Sequence, residues 1–71
     1  MATSVRAHIT GTVWKIEVRP GDAVTEGQTL VILESMKMEM PVESPVAGTV
    51  TAVTAREGAS VEEGAVLVEI G

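Results

Sequence analysis

A chain of 71 residues has room for one small domain, which buries only about 60% of the surface it exposes unfolded. It lacks Cys, Phe and Tyr and has one Trp, which excludes disulfides, thiolate metal sites and an aromatic core. Ten acidic residues against five basic ones leave a net charge of −5, which disfavours nucleic acid and anionic membranes as partners. The core must come from Val, Ile, Leu and Ala, and the many valines favour strands over helices. No N-terminal signal segment is visible, nor any apolar run near the roughly 20 residues that cross a bilayer. Together with the missing thiols, this reads as a small soluble β domain of a reducing cytoplasm, one domain over residues 1–71.

In chain order, residues 1–10 hold one predicted strand around Val5 to Ile9. Gly11 opens the next, Thr12 to Val18, which ends at a turn on Pro20-Gly21. A very short extended piece around Val24, a turn at Glu26-Gly27 and a strand from Thr29 to Glu34 follow. The next strand is predicted within Met40 to Val46, where Val42–Val46 is the repeat mate of Val5–Ile9. From Gly48 the pattern starts again: Thr49 to Ala55, a turn at Glu57-Gly58, a short piece around Val61, a turn at Glu63-Gly64, and Ala65 to Ile70. Leu30 to Leu33 is apolar on both faces, so alternation alone assigns no inside or outside there.

The second half repeats the first. At an offset of 37 residues Gly11-Thr12-Val13 matches Gly48-Thr49-Val50, and Arg19, Gly21 and Val24 match Arg56, Gly58 and Val61. Glu26-Gly27 and Leu30-Val31 likewise match Glu63-Gly64 and Leu67-Val68. Two like halves of four strands each predict an all-β fold: a two-fold-related sandwich or flattened barrel of two four-stranded antiparallel sheets around one core. The junction between the halves falls at Lys37, since Met38 is the mate of Met1. Its symmetry-related place is where Gly71 and Met1 would meet, so Lys37 is predicted at the pole opposite the chain ends.

Between the central strands lies Glu34-Ser35-Met36-Lys37-Met38-Glu39-Met40. A two-residue turn at Met36-Lys37 places one of the chain's two lysines at a hairpin tip, with a long apolar side chain on each side. Methionine commonly fills core gaps, but a hairpin tip has little core to offer, so at least one of Met36 and Met38 is expected in water. Glu34 and Glu39 would face each other across the turn, a mildly unfavourable like-charge pair. Other readings carry less. His8 is the only histidine and has no partner ligand in sequence, and Ser35 beside Lys37 has no pocket to make a catalytic dyad. The turns at Gly21 and Gly58 precede no helix and make poor phosphate cradles. Trp14 is expected in the core or at its rim.

Three segments together resemble a biotinyl domain, the biotin carboxyl carrier module of the biotin/lipoyl-attachment family. They are Glu34 to Met40, Gly21-Asp22-x-Val24-x-x-Gly27-Gln28-x-Leu30 upstream, and Ser44-Pro45-Val46-Ala47-Gly48-Thr49-Val50 downstream. The likeness covers essentially the whole chain and is greatest to short free-standing attachment proteins. It implies a flattened barrel with the modified lysine on a hairpin tip. It further implies biotin joined to Lys37 by a biotin protein ligase that reads Met36 and Met38, with Glu34, Ser35 and Glu39 close by. The implied role is a non-catalytic carrier subunit, monomeric in isolation. Its swinging arm takes an activated carboxyl group from biotin carboxylase to carboxyltransferase in an acyl-CoA-type carboxylase. Ser35 stands where the family usually has alanine, and Ala7-His8-Ile9-Thr10 replaces a segment that often contains proline. The Val18–Gly21 connection is too short for the protruding thumb of some bacterial carriers. Two alternatives stay open: a lipoyl carrier, though lipoyl domains usually show Asp-Lys-Ala at this place, and an unmodified β-barrel adaptor.

Overall fold

Short β-branched runs broken at glycine turns must find backbone partners elsewhere in the chain. Here they do so in two four-stranded antiparallel sheets. The structure, a computed structural model, describes residues 2–71. Its strands are β1 (Thr3–Arg6), β2 (Gly11–Ile16), β3 (Ala23–Val24), β4 (Thr29–Ser35), β5 (Met38–Glu43), β6 (Gly48–Val53), β7 (Ser60–Val61) and β8 (Val66–Ile70). One sheet has the order β1-β8-β6-β3 and the other β5-β4-β2-β7. Moving 37 residues along the chain carries β1 to β5, β2 to β6, β3 to β7 and β4 to β8. The first order thereby becomes the second, so the duplication exchanges the two sheets, and each sheet contains strands of both halves.

The core obeys the same relation. Val5 and Val42, Val13 and Val50, Val18 and Ala55, Leu30 and Leu67, Val31 and Val68, and Leu33 and Ile70 are buried in pairs. Ala7 is buried as well, and its mate Ser44 is the one buried polar residue among those described. Ser44 stays satisfied because its hydroxyl donates to the Val46 carbonyl at 2.5 Å. The loop hydrogen bonds repeat too. Gly21 N–H donates to the Val50 carbonyl and Gly58 N–H to that of Val13, both at 2.7 Å. Turn glycines Gly21, Gly27, Gly58 and Gly64 all have positive φ, as their positions in the sequence suggest.

β-Bulges settle what alternation left open. Between β4 and β5 the register skips Leu30, and between β1 and β8 it skips Leu67. The extra residue turns two consecutive side chains inward, so Leu30 and Val31 are both buried, as are Leu67 and Val68. Strand limits differ from the sequence-based ones in a consistent way. β1 ends at Arg6 and the chain bends through His8–Thr10, so the strand predicted up to Ile9 is shorter. β5 begins already at Met38 and stops at Glu43, before the predicted Val46. In each half the chain leaves its ladder at the same point so that Ala7 or Ser44 can turn into the core.

Candidate functional site

The hairpin of β4 and β5 is held in unbroken register from Ile32 opposite Pro41 to Ser35 opposite Met38, with Glu34 facing Glu39 as expected. Met36 and Lys37 alone form the turn. Their φ angles are 53° and 64°. Two left-handed residues make the mirror-image type I turn that matches the strand twist, a turn for which Asn-Gly is the usual choice. Left-handed backbone costs an ordinary residue roughly 1–2 kcal/mol. The ladder below therefore holds a mildly strained tip, and such strain gathers at functional positions.

Strain is accepted here without any gain in burial. Met36 is 92% exposed and Met38 62%, and Lys37 between them is exposed as well. Met40, one turn of alternation further down β5, is half-buried. Among the described residues the one ion pair is Lys15 with Glu17 at 3.9 Å, so the Lys37 amine is not tied to a carboxylate.

Gly11 seats the base of the hairpin. A Cβ there would lie 2.6 Å from the Glu34 carbonyl oxygen and 3.3 Å from Ser35 Cβ, so only glycine lets β2 begin this close to the end of β4. Its mate Gly48 does the same at the other pole, where a Cβ would meet Ile70 Cγ2 at 2.7 Å and the Gly71 carbonyl at 3.2 Å. β5 leads from one pole to the other: it leaves the tip at Met38, and residues 44–47 then deliver the chain to Gly48 beside Gly71. Six strand residues cover about 20 Å, a large part of the molecule's 33 Å length. Thr3 pairs with Ile70, which keeps the two ends of the chain together. Lys37 is thus remote from both ends. Met1, invoked in the symmetry argument, lies outside the described residues.

Other sequence candidates are not brought to the tip. His8 is exposed in the bend after β1, and no three His, Cys, Asp or Glu side chains are grouped to hold a metal among the described residues. Trp14 is not a core residue: it is 48% exposed, since it follows the inward Val13, and the bulge in the β2–β4 register keeps the next residue, Lys15, on the same outer side before Ile16 turns back to the core. The supporting role of Gly11 was visible in sequence only as a repeated Gly-Thr-Val, whose contact partner depends on the fold.

Relatives share both the sequence and the shape. Over 42 residues the chain is 57% identical to a biotinylated protein TB7.3 homolog of Mycolicibacterium smegmatis, covering 59% of each. Over 39 residues it is 46% identical to the biotin/lipoyl attachment protein of Bacillus subtilis, covering 55% of this chain and 53% of that one. The chain therefore spans a little over half the length of these curated relatives. Among solved structures, the urea carboxylase of Kluyveromyces lactis superposes with a TM-score of 0.94 at 32% identity, over 100% of this chain and 6% of that one. A single-chain, multi-domain long-chain acyl-CoA carboxylase gives 0.90 at 31% identity, over 96% of this chain and 7% of that one. Both are far longer proteins, in which the likeness is to one small portion. Residues 1–70 match the family described as "Biotin-requiring enzyme": the chain belongs to this biotin/lipoyl family, as a biotin carrier domain whose cofactor is covalently bound biotin.

Proposed function

We propose that biotin is joined to Lys37 by a biotin protein ligase, and that the chain is the non-catalytic carrier subunit of a biotin-dependent, acyl-CoA-type carboxylase. The observation that carries this reading is the tip itself: an exposed lysine on a strained two-residue turn, between two exposed methionines, at the pole away from the chain ends. Biotin bound there supplies the means to carry an activated carboxyl group between a biotin carboxylase and a carboxyltransferase.

The chain's own residues do the rest. Lys37 offers its amine to the ligase and afterwards gives reach, since its four methylenes and the biotin tail make a tether of roughly 12–15 Å. Confinement to this tether raises the effective concentration of the ring at each partner's active site. Met36 and Met38 present polarizable apolar surface that a ligase can read, and their flexibility lets them adapt to more than one partner. Glu34, Ser35 and Glu39 form the base that aims the turn. The described surface has no cavity that could sequester the ring, which supports a role in which binding pockets are supplied by partners. Similarity to portions of a urea carboxylase and an acyl-CoA carboxylase supports a carboxylase as the destination. In this reading the carrier works in the cytoplasm and is monomeric until it meets its partners.

The test is intact mass and a streptavidin blot after incubation with ligase, biotin and ATP, beside a Lys37→Arg control. A single biotin adduct on the parent chain and none on the variant is expected. A label that survives in Lys37→Arg, a lipoyl adduct from native cells, or a chain that stays bare would each refute the assignment.

A further inference from the structure

Duplication gives this molecule an internal control: each outward-facing residue can be compared with its mate on the other sheet. On the sheet that carries the chain ends, the outer face holds Ser4, Thr51 and Glu69. The Ser4 hydroxyl donates to the Glu69 carboxylate, and the Thr51 hydroxyl donates to the Glu69 carbonyl at 3.3 Å. Their mates on the sheet that carries the hairpin are Pro41, Trp14 and Ile32. Lys15 faces Ile32 and Ile32 faces Pro41 across neighbouring strands, on the side away from the core, and Trp14 bulges out beside Lys15. The scaffold is therefore built with polar residues at these positions on one sheet and apolar residues on the other. The equivalent positions of the other sheet do without an apolar set. Trp14 and Pro41 are exposed and Ile32 is half-buried, an outward apolar strip without counterpart on the other sheet, which marks a surface suited to contact.

Its surroundings indicate the kind of contact. Glu34, Glu39 and Glu43 share this outer face through the pairs Glu34–Glu39 and Thr29–Glu43. Lys15, the cation that faces Ile32 on this sheet, is matched by Glu17 at 3.9 Å. The Ile32–Pro41 pair lies three register steps below the last hairpin pair, Ser35–Met38. That is about 10 Å, well within the footprint of a protein already engaged with the tip.

We propose that Trp14, Ile32 and Pro41 are the docking surface for the biotin-attaching ligase, which meets them with an apolar patch rimmed by lysine or arginine side chains. This rests on the reading of Lys37 as the attachment site. The ligase is the partner that must recognise the unmodified chain, when no bound biotin exists to contribute affinity. The tip alone offers it only Met36, Lys37 and Met38. An aromatic anchor on the flank, with acidic residues around it, supplies what the tip lacks.

Each position can be given its mate's residue, which this scaffold already accepts: W14T, I32E and P41S. Ligase kinetics are measured on the full-length unmodified chain. For the triple variant, KM for the carrier is expected to rise tenfold or more (roughly the cost of losing an interface tryptophan), with kcat within about twofold of the parent. The circular dichroism spectrum should be unchanged. W14T alone, raising KM several-fold, serves if the triple variant does not fold. Glu43→Lys should raise KM as well, by repelling a basic rim. An unchanged KM in the substituted chains overturns the proposal, including where those chains instead fail in carboxyl transfer or where the parent proves to self-associate through this face. A lower KM for Glu43→Lys overturns the basic rim. A parent chain that takes no biotin at Lys37 refutes the attachment reading itself, a result distinct from normal labelling with an unmoved KM.

Discussion

Replacing Met36 with glycine should make the protein more stable and a worse substrate for its ligase. Met36 has a φ of 53° and is 92% exposed, so its side chain contributes strain and almost no burial. Relief of left-handed backbone is worth roughly 1–2 kcal/mol. Glycine gives back about 0.5–1 kcal/mol in additional unfolded-state freedom. The net expectation is a gain of up to about 1.5 kcal/mol, centred on ~0.75 kcal/mol, or roughly 3–6 °C in melting temperature for a domain of this size. Urea unfolding followed by circular dichroism measures the first quantity, and initial rates of biotin incorporation at a fixed ligase concentration measure the second. Loss of the thioether should slow incorporation while the stability rises. A destabilised Met36→Gly chain would show that the tip is not strained, and the argument from backbone geometry to function would fail. Increased stability with an unchanged rate would leave the strain but remove Met36 from recognition.

The two poles can be compared directly. Gly11→Ala and Gly48→Ala each force a Cβ to within 2.6 or 2.7 Å of a neighbour, and each should cost about 1–3 kcal/mol in urea unfolding. Only Gly11→Ala should slow biotin attachment to the folded chain, because only it displaces Glu34 and Ser35; equal rates in both variants would separate hairpin seating from modification. Leu33→Ala removes a side chain with 0% exposure and should cost about 2–5 kcal/mol, a large share of the stability of so small a domain, read as a lowered midpoint of urea unfolding. Ser44→Ala should cost only about 1 kcal/mol, since the equivalent buried position is already alanine at Ala7; a much larger loss of melting temperature would mean that the Ser44–Val46 hydrogen bond organises the loop.

Much of this protein could be read from the order of its residues. Repetition of Gly-Thr-Val and of the Glu-Gly turns fixes eight strands in two related sets, because each set must satisfy its backbone and bury its valines in the same way. The same repeat locates Lys37 at the junction and so at the far pole, since a two-fold relation carries the junction onto the chain ends. What periodicity could not decide was set by pairing. Leu30 and Val31 are both inside because β4 carries a bulge against β5, and Trp14 and Lys15 are both outside because β2 carries one against β4. A bulge is a mismatch between two strands and has no signature in either strand alone. The left-handed turn at Met36-Lys37 is likewise imposed by the ladder beneath it, against the local preference of both residues. Most of all, the apolar outer face beside the tip exists only when Trp14, Ile32 and Pro41, distant in sequence, are brought side by side by antiparallel pairing and set against their polar mates.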